Sequence, residues 1–310
     1  MNGKTAKAAL DLTRNRRKNY LGLGVVDLGP SIVADKLVFC YGDLTAVDHV
    51  SFEVNPREVL GFLGPNGAGK TTTVKLLTGQ LKPKEGKALV LGFDMVSEPK
   101  KAAAKIGVCF EEKNLYPRMT AERNLRFFAK LFDTEVDVDR LLSRVGLEGK
   151  GEERVENYSK GMKQRLMIAR ALVNEPDVLF LDEPTDGLDP VSANNIRRVI
   201  GEEKERGASI LLTTHDMMEA DKLSDRVAFI NEGRIEALDT PENLKLKYGK
   251  RSIKVLPKGA SEGEEEEFAL DDPETPDRVK TIIREGEFDT IHTTEATLEE
   301  IFIEVTGRGL

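Results

Sequence analysis

The sequence predicts an α/β fold built on a largely parallel sheet, and three observations carry that prediction. Apolar segments of strand length alternate with stretches of helical apolar spacing between about residues 35 and 248. One such segment runs directly into a glycine-rich loop and a helix start, and another ends in two adjacent carboxylates. The longest apolar runs, such as Val178 to Leu181 and Ile210 to Leu212, are far shorter than the roughly 20 residues that cross a bilayer, so the chain is expected to hold no membrane span.

In chain order, residues 1–33 carry Lys4, Lys7, Arg14, Arg16, Arg17 and Lys18 against Asp11 and Asp27, and lack the apolar core of a secretory signal. They are expected to form a basic extension without fixed structure. Regular patterning begins near Asp35, where LVFCY (37–41) and VSFEV (50–54) read as strands separated by a glycine turn. EVLGFLG (58–64) reads as an apolar strand and Gly69 to Thr78 as the helix start that follows it. Further strands are expected at Ala88 to Leu91, Ile106 to Phe110, Val178 to Leu181, Ser209 to Thr213 and Arg226 to Ile230.

Residues 113–175 show no strand pattern but do show helical spacing, as in Leu125, Phe128, Ala129 and Phe132, which predicts a helical subdomain inserted between two strands. Beyond Tyr248 come a strand at Ser252 to Leu256, an acidic turn in EGEEEE (262–267), a helix from about Pro276 to Glu285, a strand near Thr290 and a last helix at Leu298 to Thr306. Residues 249–310 therefore read as a small α+β appendage to a principal domain at 34–248. The apolar stripe of the last helix, Leu298, Ile301, Phe302 and Val305, must bury somewhere, in the core first and in a dimer contact second.

Charge is unevenly distributed. Sixteen acidic and eight basic side chains fall in residues 248–310, a net charge of −8 that equals that of the whole 310-residue chain. The neutral remainder argues against a nucleic-acid-binding body. Cys40 and Cys109 lie in apolar stretches with neither CxxC spacing nor a histidine partner, and read as buried thiols of a reducing cytosol.

Two motifs carry chemistry. Gly64-Pro65-Asn66-Gly67-Ala68-Gly69-Lys70-Thr71, with Thr72 after it, fits the phosphate-binding pattern GxxxxGK[ST]. Its glycines let backbone N–H groups face phosphates, the helix start adds a positive dipole, Lys70 reaches the β and γ phosphate oxygens, and Thr71 is placed to hold magnesium. Val178 to Glu183 is an apolar strand ending in Asp182 and Glu183, which puts Asp182 at the carboxyl edge of the sheet, where it would hold Mg2+. Glu183 then stands where a carboxylate can orient and deprotonate an attacking water.

GPNGAGKTT, YSKGMKQR (158–165), LFLDEPTDGLDP (179–190) and TTHDMMEA (213–220) together, in this order, resemble the ATP-binding-cassette ATPases over about residues 35–248. EEKNLYPRMTAERNL, the YSKGM form of the signature and the ending TLEEIFIEVTG are similar to the separate ATPase subunits of ABC-2 type exporters, the drug, antibiotic and polysaccharide efflux group. The resemblance implies an ABC-type P-loop NTPase: a RecA-like parallel sheet with an antiparallel β subdomain and an inserted helical subdomain. It implies an ATPase at the inner membrane face, acting as a homo- or heterodimer on a separate permease docked around residues 111–135.

Carried over by position, Tyr41 stacks on adenine and His215 contacts the γ-phosphate and organises the water. Ser159 and Gly161 belong to the signature that binds the nucleotide of the other subunit, and Asp189 to the loop that links the two sites. Glu111 stands where a magnesium-contacting glutamine is usual, and Tyr158, Lys160 and Met162 replace Leu, Gly and Gln. The rival readings are a soluble cassette ATPase that transports nothing, a non-hydrolysing scaffold, and an importer. One P-loop and the absence of heptads or cysteine pairs argue against the first, and the set Lys70, Asp182, Glu183 and His215 argues against the second.

Overall fold

The computed structural model describes residues 29–110, 114–260 and 263–307. Glu111 and residues 1–28 of the basic extension thus lie outside the described residues. β1 (Ile32–Tyr41) opens slightly ahead of the patterned region and pairs antiparallel with β2 (Leu44–Val54). On its other side it pairs with β4 (Glu85–Val90), which carries β5 (Phe93–Asp94) at the edge. Residues 88–91, expected among the strands of a parallel sheet, therefore fall mostly in this antiparallel one. Their mixed exposure is the reason, because antiparallel sheets leave one face to water whereas parallel strands are buried on both.

The second sheet runs β10-β9-β3-β8-β7-β6. Here β3 (Val59–Leu63), β6 (Ile106–Cys109), β7 (Val178–Asp182), β8 (Ser209–Thr214) and β9 (Arg226–Asn231) are parallel, and β10 (Arg234–Asp239) closes the edge antiparallel to β9. Every residue of β3, β7 and β8 is buried, which explains why these strands read as continuous apolar runs rather than alternating ones.

One face of this sheet, through Leu179, Leu181, Ile210 and Leu212, packs on α3 (Ala121–Leu131), α4 (Val138–Arg144), α5 (Lys160–Ala171) and α6 (Pro190–Arg206). The other face, through Leu60, Phe62, Phe180 and Leu211, packs on the antiparallel sheet and on α1 (Lys70–Leu77). The short α2 (Pro99–Ala103) precedes β6. The two apolar layers fix the central sheet, and with it everything that hangs from its carboxyl edge.

The C-terminal residues form a third sheet, β12-β11-β13, from β11 (Ser252–Pro257), β12 (Glu266–Ala269) and β13 (Phe288–Thr294), with α9 (Thr275–Glu285). The acidic run expected as a turn thus supplies strand residues. Glu266 and Glu267 pair with Val255 and Lys254, so β11 gives this segment backbone partners and an opposite charge across the strand.

The last helix, α10 (Leu298–Thr306), opens with a capping box at Thr297 and Glu300. It buries Leu298, Ile301 and Phe302 against Leu63, Val227 and Phe229 of the central sheet and against α7 (Met217–Leu223) and α8 (Pro241–Tyr248). Its apolar stripe goes to the core. Cys109 is buried, whereas Cys40 is half-buried with its Sγ 3.6 Å from Thr45 Oγ1.

Candidate functional site

β3, β8 and β7 are adjacent in the sheet, so the loop after β3, the end of β7 and the residues after β8 share one carboxyl edge. There a cavity of about 500 Å³ is lined by Pro65, Asn66, Gly67, Gly69, Lys70, Thr71 and Thr72 together with Asp182, Glu183 and His215. Tyr41, Leu44 and Ala46 form its apolar side. Sequences more than a hundred residues apart meet here because three parallel strands end in register.

The loop is tightly curled. A Cβ on Gly69, whose φ is +103°, would lie 2.3 Å from Ala46 O, and one on Gly64 would lie 2.1 Å from Ile230 O. Only glycine fits where the backbone approaches so closely. Gly69 caps α1, which places the helix N-terminus and its positive dipole at the cavity. Gly64 and Ala68, expected among the nucleotide-binding residues, do not line the cavity. Gly64 packs on Ile230, while Ala68 is turned into the core and donates its N–H to Pro65 O.

Lys70 is only 6% exposed, and its Nζ donates to Gly64 O at 2.5 Å and Pro65 O at 3.3 Å. A buried ammonium resting on loop carbonyls is a cation held at the place an anion would occupy. Its Nζ also lies 3.8 Å from Glu183 Oε1, and the other oxygen of Glu183 lies 3.0 Å from His215 Nδ1. Glu183 is thus suspended between the loop lysine and the histidine after β8.

Asp182, 1% exposed, accepts from the Thr71 hydroxyl at 2.9 Å and from that of Thr213. Thr71 and Asp182 bring a hydroxyl and a carboxylate oxygen together, a donor set that suits a small hard cation completed by phosphate oxygens. The role of Thr213 was not visible in sequence, although the TTHD stretch places it two residues before His215.

Tyr41 is 48% exposed and presents its ring to the cavity beside Phe39, with centroids 4.9 Å apart at 79°. Leu44, Ala46 and Asp186 also line the cavity. The first two follow Tyr41 through the turn into β2, a link that only the strand pairing reveals.

Ser159, Gly161 and Asp189 are not brought to this cavity. Ser159 caps α5, its hydroxyl accepting from Met162 N at 3.1 Å. Asp189 caps α6 through the Val191 and Ser192 N–H groups, and hydrogen bonds from the Ser192 side chain and backbone hold its carboxyl below the usual range. Two of the three unusual signature residues have local partners. Tyr158 is buried, and its hydroxyl donates to Lys150 O at 2.7 Å. Burial and the nearby Glu153 charge push its phenol up to about 12. Lys160 reaches Asp186 at 3.1 Å.

A profile described as ABC transporter matches residues 47–186. The chain is 45% identical over 267 residues to a fluoroquinolones export ATP-binding protein of Mycobacterium tuberculosis, covering 86% of this chain and 89% of that one. It is 38% identical over 291 residues to the Nod factor export ATP-binding protein I of Burkholderia pseudomallei, covering 87% and 95% of the two chains. Among solved structures, an ATP-binding subunit of an ABC transporter superimposes with a TM-score of 0.65 at 29% identity over 70% of this chain and 92% of that one.

Proposed function

Because this chain belongs to the ABC transporter family of ATP-binding proteins, we propose that it is the ATP-hydrolysing subunit of an ABC-2 type efflux transporter. It would act as a dimer on a separate permease at the inner face of the membrane. The observation that carries the reading is Glu183, held between Lys70 and His215 over a phosphate-binding loop. The export names of both relatives support transport over a non-transport ATPase.

In this mechanism the loop N–H groups and the N-terminus of α1 bind the phosphate chain, and Lys70 leaves its carbonyl cradle for the terminal phosphates. Tyr41, Leu44 and Ala46 receive the base on their apolar side. Thr71 and Asp182 would hold Mg2+, which supplies charge neutralisation across the phosphates when bound. Glu183 orients a water and takes its proton, while His215 steadies the carboxylate through Nδ1. Ser159 and Gly161, on the outer turn of α5, meet the nucleotide of a second subunit, so closure on ATP pairs two such sites. Asp189 lies at the start of α6 beside that interface.

A groove of about 640 Å³ beside α3, lined by Phe110, Leu115, Tyr116, Phe128, Phe132 and Arg170, supports docking of a permease segment on the helical subdomain. No helix among the described residues is long and apolar enough to cross a membrane, so the path for cargo belongs to that partner. The test is fluoroquinolone accumulation in cells expressing this chain with an ABC-2 type permease. Accumulation falls with the parent chain and returns with Lys70→Ala. Equal accumulation with both, at equal expression, contradicts the reading.

A further inference from the structure

Glu183 has a backbone φ of +48°. A non-glycine residue holds that conformation only when its surroundings impose it. The imposing contacts are few. Its N–H donates to Thr213 O at 3.0 Å, and its carbonyl accepts from Asp186 N at 3.3 Å and from Gln164 Nε2 at 3.3 Å. Gln164 is the side chain in this set, and it is buried on α5, five residues beyond Ser159. Since a carbonyl can only accept, the amide must present its NH2 group.

Two neighbouring contacts run between the same elements. Lys160 Nζ lies 3.1 Å from Asp186 Oδ2, and Gly161 packs so closely on Leu188 that an added Cβ would lie 3.3 Å from its Cδ2. The first turns of α5 are therefore keyed to residues 183–188 at an exposed ion pair, a close packing contact and a part-buried hydrogen bond.

We propose that Gln164 is a positioning residue for Glu183. Through it, the helix that opens at Ser159 sets the place of the carboxylate in the same chain's ATP site. Ser159 does not line its own chain's cavity, so a phosphate of a second subunit docking there is felt by Glu183 through α5. This inference rests on the reading of Glu183 as the residue that activates water.

The test uses the full-length chain and two variants. Gln164→Met keeps the length of the side chain and removes the donor. Its kcat is expected to fall about tenfold, with the KM for ATP and the affinity for a non-hydrolysable ATP analogue nearly unchanged. Gln164→Glu places an acceptor against the carbonyl at neutral pH and regains a donor when protonated, so the ratio of its kcat to the parent's rises as pH is lowered. A merely structural glutamine would not produce that pH-dependent recovery. The proposal is overturned if Gln164→Met, folded by thermal melt, keeps the parent kcat, or if kcat and KM worsen together and the Gln164→Glu ratio is flat with pH. If the parent hydrolyses no ATP under any condition, the reading of Glu183 fails first, and the inference with it.

Discussion

Phe302→Ala probes how the C-terminal helix α10 is tied to the central sheet. Phe302 is 0% exposed and sits edge-on to Phe229 of β9, with centroids 5.4 Å apart at 87°. Its neighbours in the same cluster include Leu63, the last residue of β3 before the phosphate-binding loop. Removing a fully buried phenylalanine loses its transfer energy and leaves a cavity, at a cost of about 3–5 kcal/mol. The aromatic pair accounts for about 0.5–1.5 kcal/mol of that sum. Because the cavity opens against the central sheet rather than against the third sheet, the loss should appear in unfolding of the central sheet.

Urea unfolding followed by circular dichroism measures it, with Ile303→Ala as the control. Ile303, next in sequence, is 43% exposed, and its truncation should stay within about 0.5 kcal/mol. A drop below about 1 kcal/mol for Phe302→Ala, or equal shifts for the two variants, would refute the packing of α10 as a piece of the core.

Other expectations concern the site itself. Lys70→Ala removes the buried ammonium beside the loop and should weaken binding of a fluorescent ATP analogue about tenfold to a hundredfold, read by titration. Tyr41→Ala should raise the KM for ATP about threefold to tenfold and leave kcat nearly unchanged, since a stacked ring binds ground and transition states alike. Tyr158→Phe should cost about 0.5–1.5 kcal/mol at neutral pH, by loss of the bond to Lys150 O. The phenol titrates near 10 when unfolded and at about 12 when folded, so its contribution is fully present below pH 10 and is lost as pH rises through about 12. Thermal melts between pH 8 and 12 should therefore show the parent losing its advantage over Tyr158→Phe in that window.

Much of the central sheet was legible because β3, β7 and β8 are buried on both faces and must be continuously apolar. The phosphate-binding loop was equally legible, since its glycines answer to close backbone approach at Ala46 and Ile230. What sequence could not supply was pairing. β12 carries glutamates that look like a turn until β11 offers them partners, and β10 and α8 close the cassette in a stretch outside the strands and helices expected from sequence. For the same reason Thr213 and Gln164 went unassigned, since each matters through an atom it touches on another element. Tyr158 reads in sequence as a departure from the signature and in the structure as a buried tyrosine with a satisfied hydroxyl.

We propose that Glu183, between Lys70 and His215, activates water for ATP hydrolysis in a site completed by a second subunit. Magnesium-dependent ATPase activity of the full-length chain and of Glu183→Gln, with light scattering of both in ATP, is the deciding measurement. Hydrolysis by the parent, loss of at least about a hundredfold in the variant, and a stable ATP-bound dimer of the variant are expected. Equal rates for the two chains, or a variant that binds ATP yet remains monomeric at every concentration, would contradict it.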